Sequence, residues 1–453
     1  MRRRAFLRGA GLAGLGLTVE GATAHPTPVG GNDSDGTGEA AASNTIAPLG
    51  RLSLPGALEL VTSPDGETAF IATGEGLAVV DVGDPARPAL LAHRTGLLEG
   101  DSGTLDHIWD VAVADSRVLV AGPAHADRGP SGIVVFDASD PASVEQVAAH
   151  TVETPVHNAQ FDGRYAYLTG NGLPGNPLVV VDSETGEPVG SWSPLDASER
   201  WNDVDRRLWP LHDVWVAGDR AFVAYWDAGT WLLDVSDPAA PRALGRVRGR
   251  SLDALAAVEN PAVERTVPPG NDHFVTVGDE GRVVGIGTES WAADGEGGPG
   301  GIEFYDISVP ERPTRLAAIE PPPSPDAARG GVLTTAHNFE LSANHCYSAW
   351  YQGGLRVHDM SVPTEPREVA RWRDTDRAAL WTVQRGAGCL VASSTTKLGN
   401  TDGDPAVYTF PDPTPARAAG QSAGDNGLGQ TGGVIAGGAL VALLWRLRGS
   451  TSN

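Results

Sequence analysis

Histidine with an adjacent Asp or Asn recurs at one position of a repeated unit along the chain. Imidazoles that converge within a few ångströms bind Zn, Cu, Ni or Fe, and a neighbouring carboxylate can act as a general base toward metal-bound water. A divalent transition metal is therefore a candidate cofactor. The candidate ligands are His107, His157, His212, His273 and His337, and the candidate bases are Asp110 and Asp213.

Two other interpretations of these histidines stay open. Each His–Asn or His–Asp could be a buried polar pair that bonds to backbone and recurs because the unit was duplicated. The rings could also hold an organic anion or a sugar, together with Arg and Trp side chains of long neighbouring loops. The candidate ligand-binding residues are Trp109, Asn158, Asn338, Trp201, Arg206, Arg207 and Trp209.

The repeated unit is built of short strands. Each unit has a polar turn followed by alternating small, aromatic and branched residues, then a strand that ends in Asp before a Pro-containing turn. Period-two alternation bounded by turn residues predicts antiparallel strands. We expect the terminal carboxylates to accept backbone N–H groups of the turn. Their spacing of 45 to 72 residues fits four-stranded propeller blades with loops. They are Asp81, Asp137, Asp182, Asp234, Asp306 and Asp359.

Six units are complete, and a seventh is split between the two ends of the repeat region. Residues 379–397 and 406–410 match the first three strands of a unit, and residues 47–56 match a fourth. An N-terminal strand that completes the last blade would close the ring and cover both sheet edges. The sequence predicts an all-β fold, a seven-bladed β-propeller of four-stranded antiparallel blades closed by this N-terminal strand. Six or eight blades are the alternative.

The third strand of the unit resembles that of the LVIVD-repeat propellers, because Leu178-Val-Val-Val-Asp182 nearly spells the repeat. The resemblance covers roughly residues 47–410. It implies a propeller fold in an extracellular setting. It implies no particular reaction, since propellers serve many functions.

The repeat phase predicts where the histidines lie. The first strand of a propeller blade lines the central channel, so side chains just before it gather at one mouth of that channel. The connections on this face are the long ones, among them residues 191–210 and 250–271, whereas the other face has tight turns. Functional loops sit on one face of a rigid scaffold. We therefore expect a binding face with the histidines at its centre.

Both ends of the chain resemble targeting sequences. Residues 1–24 have paired arginines, a Gly/Ala/Leu run and Ala-Thr-Ala, like a twin-arginine signal peptide. Residues 25–45 predict a disordered acidic linker, 46–410 the propeller and 411–430 a Pro/Gly/Ala-rich linker. Residues 431–448 resemble the C-terminal sorting tails of haloarchaeal surface proteins, with a short permanent anchor as the alternative. These ends predict an extracellular protein, exported by the twin-arginine route and tethered to the cell surface.

The composition is strongly acidic, with 57 Asp and Glu against 33 Lys and Arg and a formal net charge of −24. Such a surface repels nucleic acid, and we expect membrane contact only through the C-terminal tail. An acidic chain with Lys397 as its one lysine resembles proteins of salt-loving organisms. We expect a monomer that binds an unidentified protein or small molecule at the cell surface. The alternative is a metal-dependent hydrolase or oxidoreductase that uses the histidines.

Overall fold

The computed structural model describes residues 44–414, except 102, 127, 128 and 279. The first strand, β1 (Gly50–Ser53), belongs to the last blade, and six complete blades follow it along the chain. Blades 1 to 3 contain β2 (Leu60–Thr62), β3 (Thr68–Ala72), β4 (Gly76–Asp81) and β5 (Ala89–Thr95); β6 (Asp110–Ala114), β7 (Arg117–Gly122), β8 (Gly132–Asp137) and β9 (Glu145–Thr151); and β10 (Ala159–Phe161), β11 (Tyr165–Thr169), β12 (Leu178–Asp182) and β13 (Pro188–Trp192).

Blade 5 differs from its neighbours by a small extra hairpin between its second and third strands. Blades 4 to 6 contain β14 (Asp213–Ala217), β15 (Arg220–Ala224), β16 (Thr230–Asp234) and β17 (Arg242–Arg246); β18 (Asp272–Val277), β19 (Val283–Thr288), the hairpin β20 (Ala292–Ala293) and β21 (Glu296–Gly297), β22 (Ile302–Asp306) and β23 (Thr314–Ile319); and β24 (Phe339–Ser342), β25 (His345–Ala349), β26 (Leu355–Asp359) and β27 (Arg367–Trp372).

Blade 7 joins the two ends of the propeller. Its sheet has the order β1, β30 (Ala406–Pro411), β29 (Cys389–Ser394) and β28 (Leu380–Arg385), with β28 innermost. Strand β1 runs antiparallel to β30, and Gly50 lies opposite Thr409. The predicted seven-bladed, four-stranded antiparallel propeller is confirmed, and β1 is the predicted closing strand.

Each blade is buried on both faces by its neighbours. In β8, GIVVFD, every residue except the terminal Asp137 is buried. Branched and aromatic side chains suit this environment because they fill the space between two pleated sheets. Phe70 and Val79 of blade 1, for example, share one core cluster with Val120 and Val134 of blade 2. The hydrophobic core is thus a series of interfaces between adjacent blades.

The Asp that ends each third strand organises the turn after it. Asp234 Oδ1 accepts from the backbone N–H of Ser236 at 3.0 Å, and Asp359 Oδ1 accepts from that of Ser361 at 2.9 Å. Hydrogen bonds from Ser361 and Arg367 hold the pKa of Asp359 at about 2. This agrees with the turn-forming role expected from the sequence. The same bond is made by Asp81, Asp137, Asp182 and Asp306.

The two faces of the propeller differ in their connections. The turn face carries the hairpin turns between first and second strands, at residues 63–67, 115–116, 162–164, 218–219, 278–282, 343–344 and 386–388. The loop face carries the long connections, at residues 96–109, 123–131, 193–212, 247–271, 289–301, 320–338 and 395–405.

The α-helices of the described residues are short and lie in two loops of the loop face: α1 (Pro194–Ala197), α2 (Leu252–Ala256) and α3 (Pro261–Glu264). Within the part of the chain that the structure describes, no helix has the length and apolar character needed to cross a bilayer. The predicted signal peptide (1–24) and C-terminal tail (431–448) lie outside the described residues. Asn44 and Thr45, which the sequence assigns to the linker, already pair with Glu368 and Arg371 of β27.

Candidate functional site

A closed ring of aromatic side chains blocks the central channel at its loop-face end. Blades 2 to 7 each contribute one ring from the start of the inner strand, and neighbouring ring centroids lie 3.9–5.8 Å apart. A cavity of about 10 Å³ lies at this level, which is about the space of one water molecule. This aromatic plug consists of Trp109, His157, His212, His273, His337 and Trp381.

His107 lies outside the plug, so its prediction as a metal ligand needs correction. The residue adopts a positive φ of 52°, and its Nε2 lies 3.9 Å from Asp106 Oδ2. Blade 2 places Trp109 in the plug instead, because Trp109-Asp110 occupies the repeat position of His212-Asp213.

Hydrogen bonds fix the tautomers of three plug histidines. His212 Nδ1 lies 3.0 Å from the carbonyl oxygen of His273, and His337 Nδ1 lies 2.6 Å from that of Trp381. His157 Nδ1 bonds to Asn158 Oδ1. Because these oxygens only accept, each Nδ1 carries the hydrogen and each Nε2 carries a lone pair. Neutral imidazole with a free Nε2 is the form that binds metals.

Burial keeps these imidazoles neutral. It lowers the pKa of His157 to about 4 and that of His337 to about 3. The pKa values of His212 and His273 are also lowered well below the usual range, first by burial and then by neighbouring histidines. The plug is therefore uncharged near neutral pH.

The two central histidines face a buried carboxylate that the sequence did not single out. His273 Nε2 lies 3.5 Å from Glu289 Oε2, and Tyr351 donates its hydroxyl to Glu289 Oε1 at 2.6 Å. Burial raises the pKa of Glu289 to about 7. One ligand atom each of His212, His273 and Glu289 lie within 4.8 Å of one another, and we call these residues the His–Glu group. The predicted ligands His157 and His337 lie in the plug but outside this group.

The sequence offered unequal signals for the residues around the His–Glu group. The ring centroid of Trp226 lies 5.1 Å from that of His212, and Tyr351 bonds to Glu289. Both residues follow the second strand of a blade by two positions, within the related segments AYW and AWY. A repeat alignment at that position would have found both. Glu289 directly follows β19, where the other blades have no acidic residue, and the repeat therefore gave no signal for it.

The candidate bases Asp110 and Asp213 lie below the plug and connect neighbouring blades. Asp110 Oδ2 accepts from the backbone N–H of Ala159 at 2.6 Å, and Asp213 Oδ2 accepts from that of Val275 at 2.9 Å. Burial raises the pKa of Asp110 to about 8 and that of Asp213 to about 7. Both carboxyls hold backbone of the next blade, which is a positioning role.

Asn158 and Asn338 extend this polar layer. Asn158 Nδ2 donates to Asp213 Oδ1 at 3.3 Å, and Asn338 Nδ2 donates to Glu59 Oε2. Glu59 is buried, and desolvation together with the charge of Asp110 raises its pKa. The layer of Glu59, Asp110, Asn158, Asp213 and Asn338 links the inner strands of five blades.

Four of the predicted histidines lie at the expected loop-face end of the channel but close it, and the wide end of the channel opens on the turn face. A cavity of about 750 Å³ extends from the polar layer to the hairpin turns. Its lining is mainly acidic toward that face, where two arginines accompany four aspartates. These residues are Asp65, Asp115, Asp162, Asp219, Arg164 and Arg385.

Trp201 and Trp209 are structural, which corrects their prediction as ligand-binding residues. Each is 1% exposed, and both belong to the core cluster of blades 3 and 4. Their ring centroids lie 5.5 Å apart, and Trp209 Nε1 donates to the carbonyl oxygen of Val204. Burying two large rings under a loop stabilises that loop more than exposing them to a ligand would. The loop is consequently a packed platform.

The two predicted arginines of this loop have different roles. Arg206 Nη2 donates to Leu173 O at 2.6 Å and to Asn176 Oδ1 at 2.7 Å, and it thereby ties the loop to blade 3. Arg207 is exposed and pairs with Asp205 at 2.6 Å.

Arg207 also belongs to a positive cluster on the loop face. Burial lowers the pKa of Arg265, and the charges of Arg329 and Arg207 lower it further. Arg329 is exposed and lies 5.0 Å over the ring of Trp291. Among the described residues, no carboxylate lies within 4.0 Å of Arg265 or Arg329. Arg207, Arg265 and Arg329 form the arginine cluster, in which Arg207 pairs with Asp205 while Arg265 and Arg329 can bind an anion.

Comparisons with known proteins agree with this architecture. The family model of the LVIVD repeat matches residues 65–93 and 211–248. The β-propeller domain of Cps50 (Swd1) from Myceliophteria thermophila has a similar structure, with a TM-score of 0.53 and 10% sequence identity over 81% of this chain and 99% of that one. At this identity the likeness shows the fold alone. No curated protein matches the sequence.

The two matched segments include the third strands of blades 1 and 4, which carry the repeat described above. Propellers of repeated blades offer a rigid surface on which loops vary. The chain is a seven-bladed β-propeller, and two segments of it match the LVIVD repeat.

Proposed function

We propose that this protein is an exported binding module, tethered at the cell surface, whose loop face holds an acidic segment of a partner protein. The observation that carries the proposal is the arginine cluster. The charges of Arg207 and Arg329 act on Arg265, and neither Arg265 nor Arg329 has a carboxylate within 4.0 Å among the described residues of this chain of net charge −24. Arginine binds carboxylates through two parallel hydrogen bonds, so such a cluster favours a partner rich in Asp and Glu.

The loop face is preorganised for such a partner. Trp201 and Trp209 pack one long loop onto the core, and Ser193 caps helix α1 of the same loop through a capping box. A surface that is already ordered loses little conformational entropy when a partner binds. The platform therefore supports binding without a folding step.

The direction of the last strand supports the tethered arrangement. Pro411 at the end of β30 pairs with Cys389, which begins β29 directly after a hairpin turn of the turn face. The chain thus leaves β30 on the turn face. A tether attached through the C-terminal residues would direct the loop face away from the membrane.

The metal-dependent enzyme predicted as the alternative receives less support. Its candidate bases, Asp110 and Asp213, accept backbone N–H groups of neighbouring blades. A general base needs hydrogen-bond reach to the reacting group. These two carboxyls bond to backbone below the plug, whereas Arg207 and Arg329 are exposed on the loop face and Arg265 is half-buried beside them.

The test measures binding of a fluorescent ten-residue poly-glutamate peptide to the full chain. We expect saturable, salt-sensitive binding that weakens about tenfold or more in Arg265→Ala/Arg329→Ala, because each charge-assisted pair contributes about 1–2 kcal/mol. The matched control is Arg164→Ala, which removes an exposed arginine beside the turn face. Equal binding by the double variant and the wild type would overturn the proposal. A marked preference for dextran sulfate over the peptide would point instead to an acidic polysaccharide.

Export is tested separately by cell fractionation. Replacing Arg3 and Arg4 with Lys blocks twin-arginine transport, and we expect the variant to accumulate inside the cell with its signal peptide uncleaved. A wild-type protein that stays in the cytosolic fraction would contradict the exported location.

A further inference from the structure

We propose that the His–Glu group binds a divalent transition metal ion through His212, His273 and Glu289. This inference is independent of the acidic partner proposed for the loop face. It also differs from the four-histidine site that the repeat predicts, because a carboxylate from an irregular loop replaces two of the imidazoles.

The distance between the central atoms fits a shared ion better than a direct hydrogen bond. His273 Nε2 and Glu289 Oε2 are 3.5 Å apart, beyond the usual range of about 2.7–3.2 Å for N–H···O bonds. Two ligand atoms at about 2.1 Å from a tetrahedral ion are separated by about 3.4 Å. The observed separation therefore matches one edge of a coordination tetrahedron.

The imidazole of His273 is also incompletely bonded by the protein. It is 3% exposed, and its Nδ1 has no hydrogen-bond partner among the described residues. Burying an unpaired ring nitrogen costs about 1–3 kcal/mol. No hydrogen bond from the described residues therefore fixes the tautomer of His273, and its Nε2 can carry the lone pair that faces Glu289 Oε2.

The other two ligands are held in orientation by their own partners. His212 donates Nδ1–H to the carbonyl oxygen of His273, which leaves Nε2 free to coordinate. Tyr351, fully buried, donates to Glu289 Oε1 and leaves Oε2 toward His273. Hydrogen bonds of this kind orient ligands and tune their affinity in metal sites.

The donor set selects the ion. Two neutral imidazoles and one carboxylate suit Zn²⁺, Co²⁺, Ni²⁺ or Cu²⁺, whereas Mg²⁺ and Ca²⁺ require mainly oxygen ligands. The positive charge of Arg329 acts on Glu289 and opposes a second cation nearby. We therefore expect one ion per chain, bound with moderate affinity.

The experiment uses the purified full chain, stripped with EDTA and titrated with Co²⁺, whose visible absorption reports the bound ion. Elemental mass spectrometry then counts bound Zn²⁺. We expect one ion per chain, an affinity at least tenfold lower in Glu289→Gln and about tenfold lower in Tyr351→Phe. Glu289→Gln keeps the size of the side chain, and circular dichroism verifies its fold.

His337→Gln is the matched control, because His337 is a plug histidine outside the His–Glu group. We expect its affinity to stay within about twofold of the wild type, since it removes no proposed ligand. The proposal is overturned if no stoichiometric ion binds, or if Glu289→Gln binds as the wild type does.

Discussion

The two ends of the central channel are built from the same seven inner strands, yet they differ in chemistry. Between the plug and the turn face, Asp110 and Asp213 each accept a backbone N–H of the next blade, and a cavity of about 750 Å³ extends from this polar layer to the hairpin turns. At the loop-face end, His212 and His273 close the channel and retain ring nitrogens that the protein does not use.

The comparison shows that consecutive residues of the chain can serve different tasks. His212 and Asp213 both contact blade 5, His212 through the carbonyl oxygen of His273 and Asp213 through the backbone N–H of Val275. The carboxyl holds the blades together, and the imidazole faces the loops. A structural role and a proposed binding role therefore fall on two consecutive residues of the repeat.

Both ends of the channel exist only if the ring of seven blades is closed. We therefore expect the largest effect from removing the strand that closes it. A chain that starts at Leu54 lacks β1 and leaves one edge of β30 unpaired. We expect a loss of about 5 kcal/mol or more in the free energy of unfolding, or a chain that no longer unfolds cooperatively. Urea unfolding against a chain that starts at Asn44 measures this. Equal stability of the two chains would show that β1 does not close the propeller.

A second pair of variants tests whether the polar layer below the plug stabilises the fold more than the plug does. Asp213→Ala removes the acceptor of two donors, Val275 N–H and Asn158 Nδ2–H, and we expect it to cost about 2–4 kcal/mol. His337→Gln keeps a donor for Trp381 O and similar volume, and we expect it to cost about 1 kcal/mol. Urea unfolding of both variants in EDTA gives the difference. If His337→Gln lost as much stability as Asp213→Ala, or more, the polar layer would not be the more important of the two for stability.

The third effect is a pH dependence of stability that originates below the plug. Because the folded protein raises the pKa of Asp110 to about 8, its neutral form stabilises the fold fully below about pH 4. That contribution is lost as the pH rises through 8, at up to about 1.4 kcal/mol per pH unit. Asp213 and Glu59 face the same layer with raised pKa values and add to the slope.

Asp110→Asn isolates this contribution, since the amide does not titrate. We expect the free energy of unfolding, measured from pH 5 to 8, to decline less steeply in the variant. The difference in slope is the contribution of one proton, up to about 1.4 kcal/mol per pH unit. The same slope in both proteins would mean that Asp110 is ionised in the folded state.

The smallest expected effect is on peptide binding by a variant of the turn face. Asp219 lies on a turn-face hairpin at the rim of the wide cavity, far in the fold from the arginine cluster. We expect Asp219→Asn to alter the affinity for the poly-glutamate peptide by less than about twofold, because exposed charges beyond about 10 Å are screened. A larger gain in affinity would place the peptide in the channel instead of on the loop face.

Much of the fold was predictable because the repeat is periodic. The period-two alternation predicts the strands, and the Asp at the end of each third strand predicts the turn after it. The additional strand at residues 47–56 predicts how the last blade is completed. The phase of the repeat also identified four of the six plug residues, His157, His212, His273 and His337, but it selected His107 where blade 2 places Trp109. Trp381 was missed because blade 7 carries Leu380 at the aligned position.

The rest of the site depends on irregular loops that periodicity does not describe. Glu289 has no counterpart in other blades, and Trp201 and Trp209 fold inward because their loop forms short capped helical turns over the core. The wide mouth of the channel depends on how the inner strands pack across the axis. None of these features follows from the order of strands alone.

The position of β30 determines how the protein would withstand mechanical force. A pull on the chain beyond residue 414 acts along β30, which lies between β1 and β29 and is antiparallel to both. Its four residue pairs with β1 and six with β29 would be loaded together in shear. A ladder sheared along its length resists more force than one opened pair by pair. The closing strand thus adds four residue pairs to the six that already hold the segment through which a surface tether would pull.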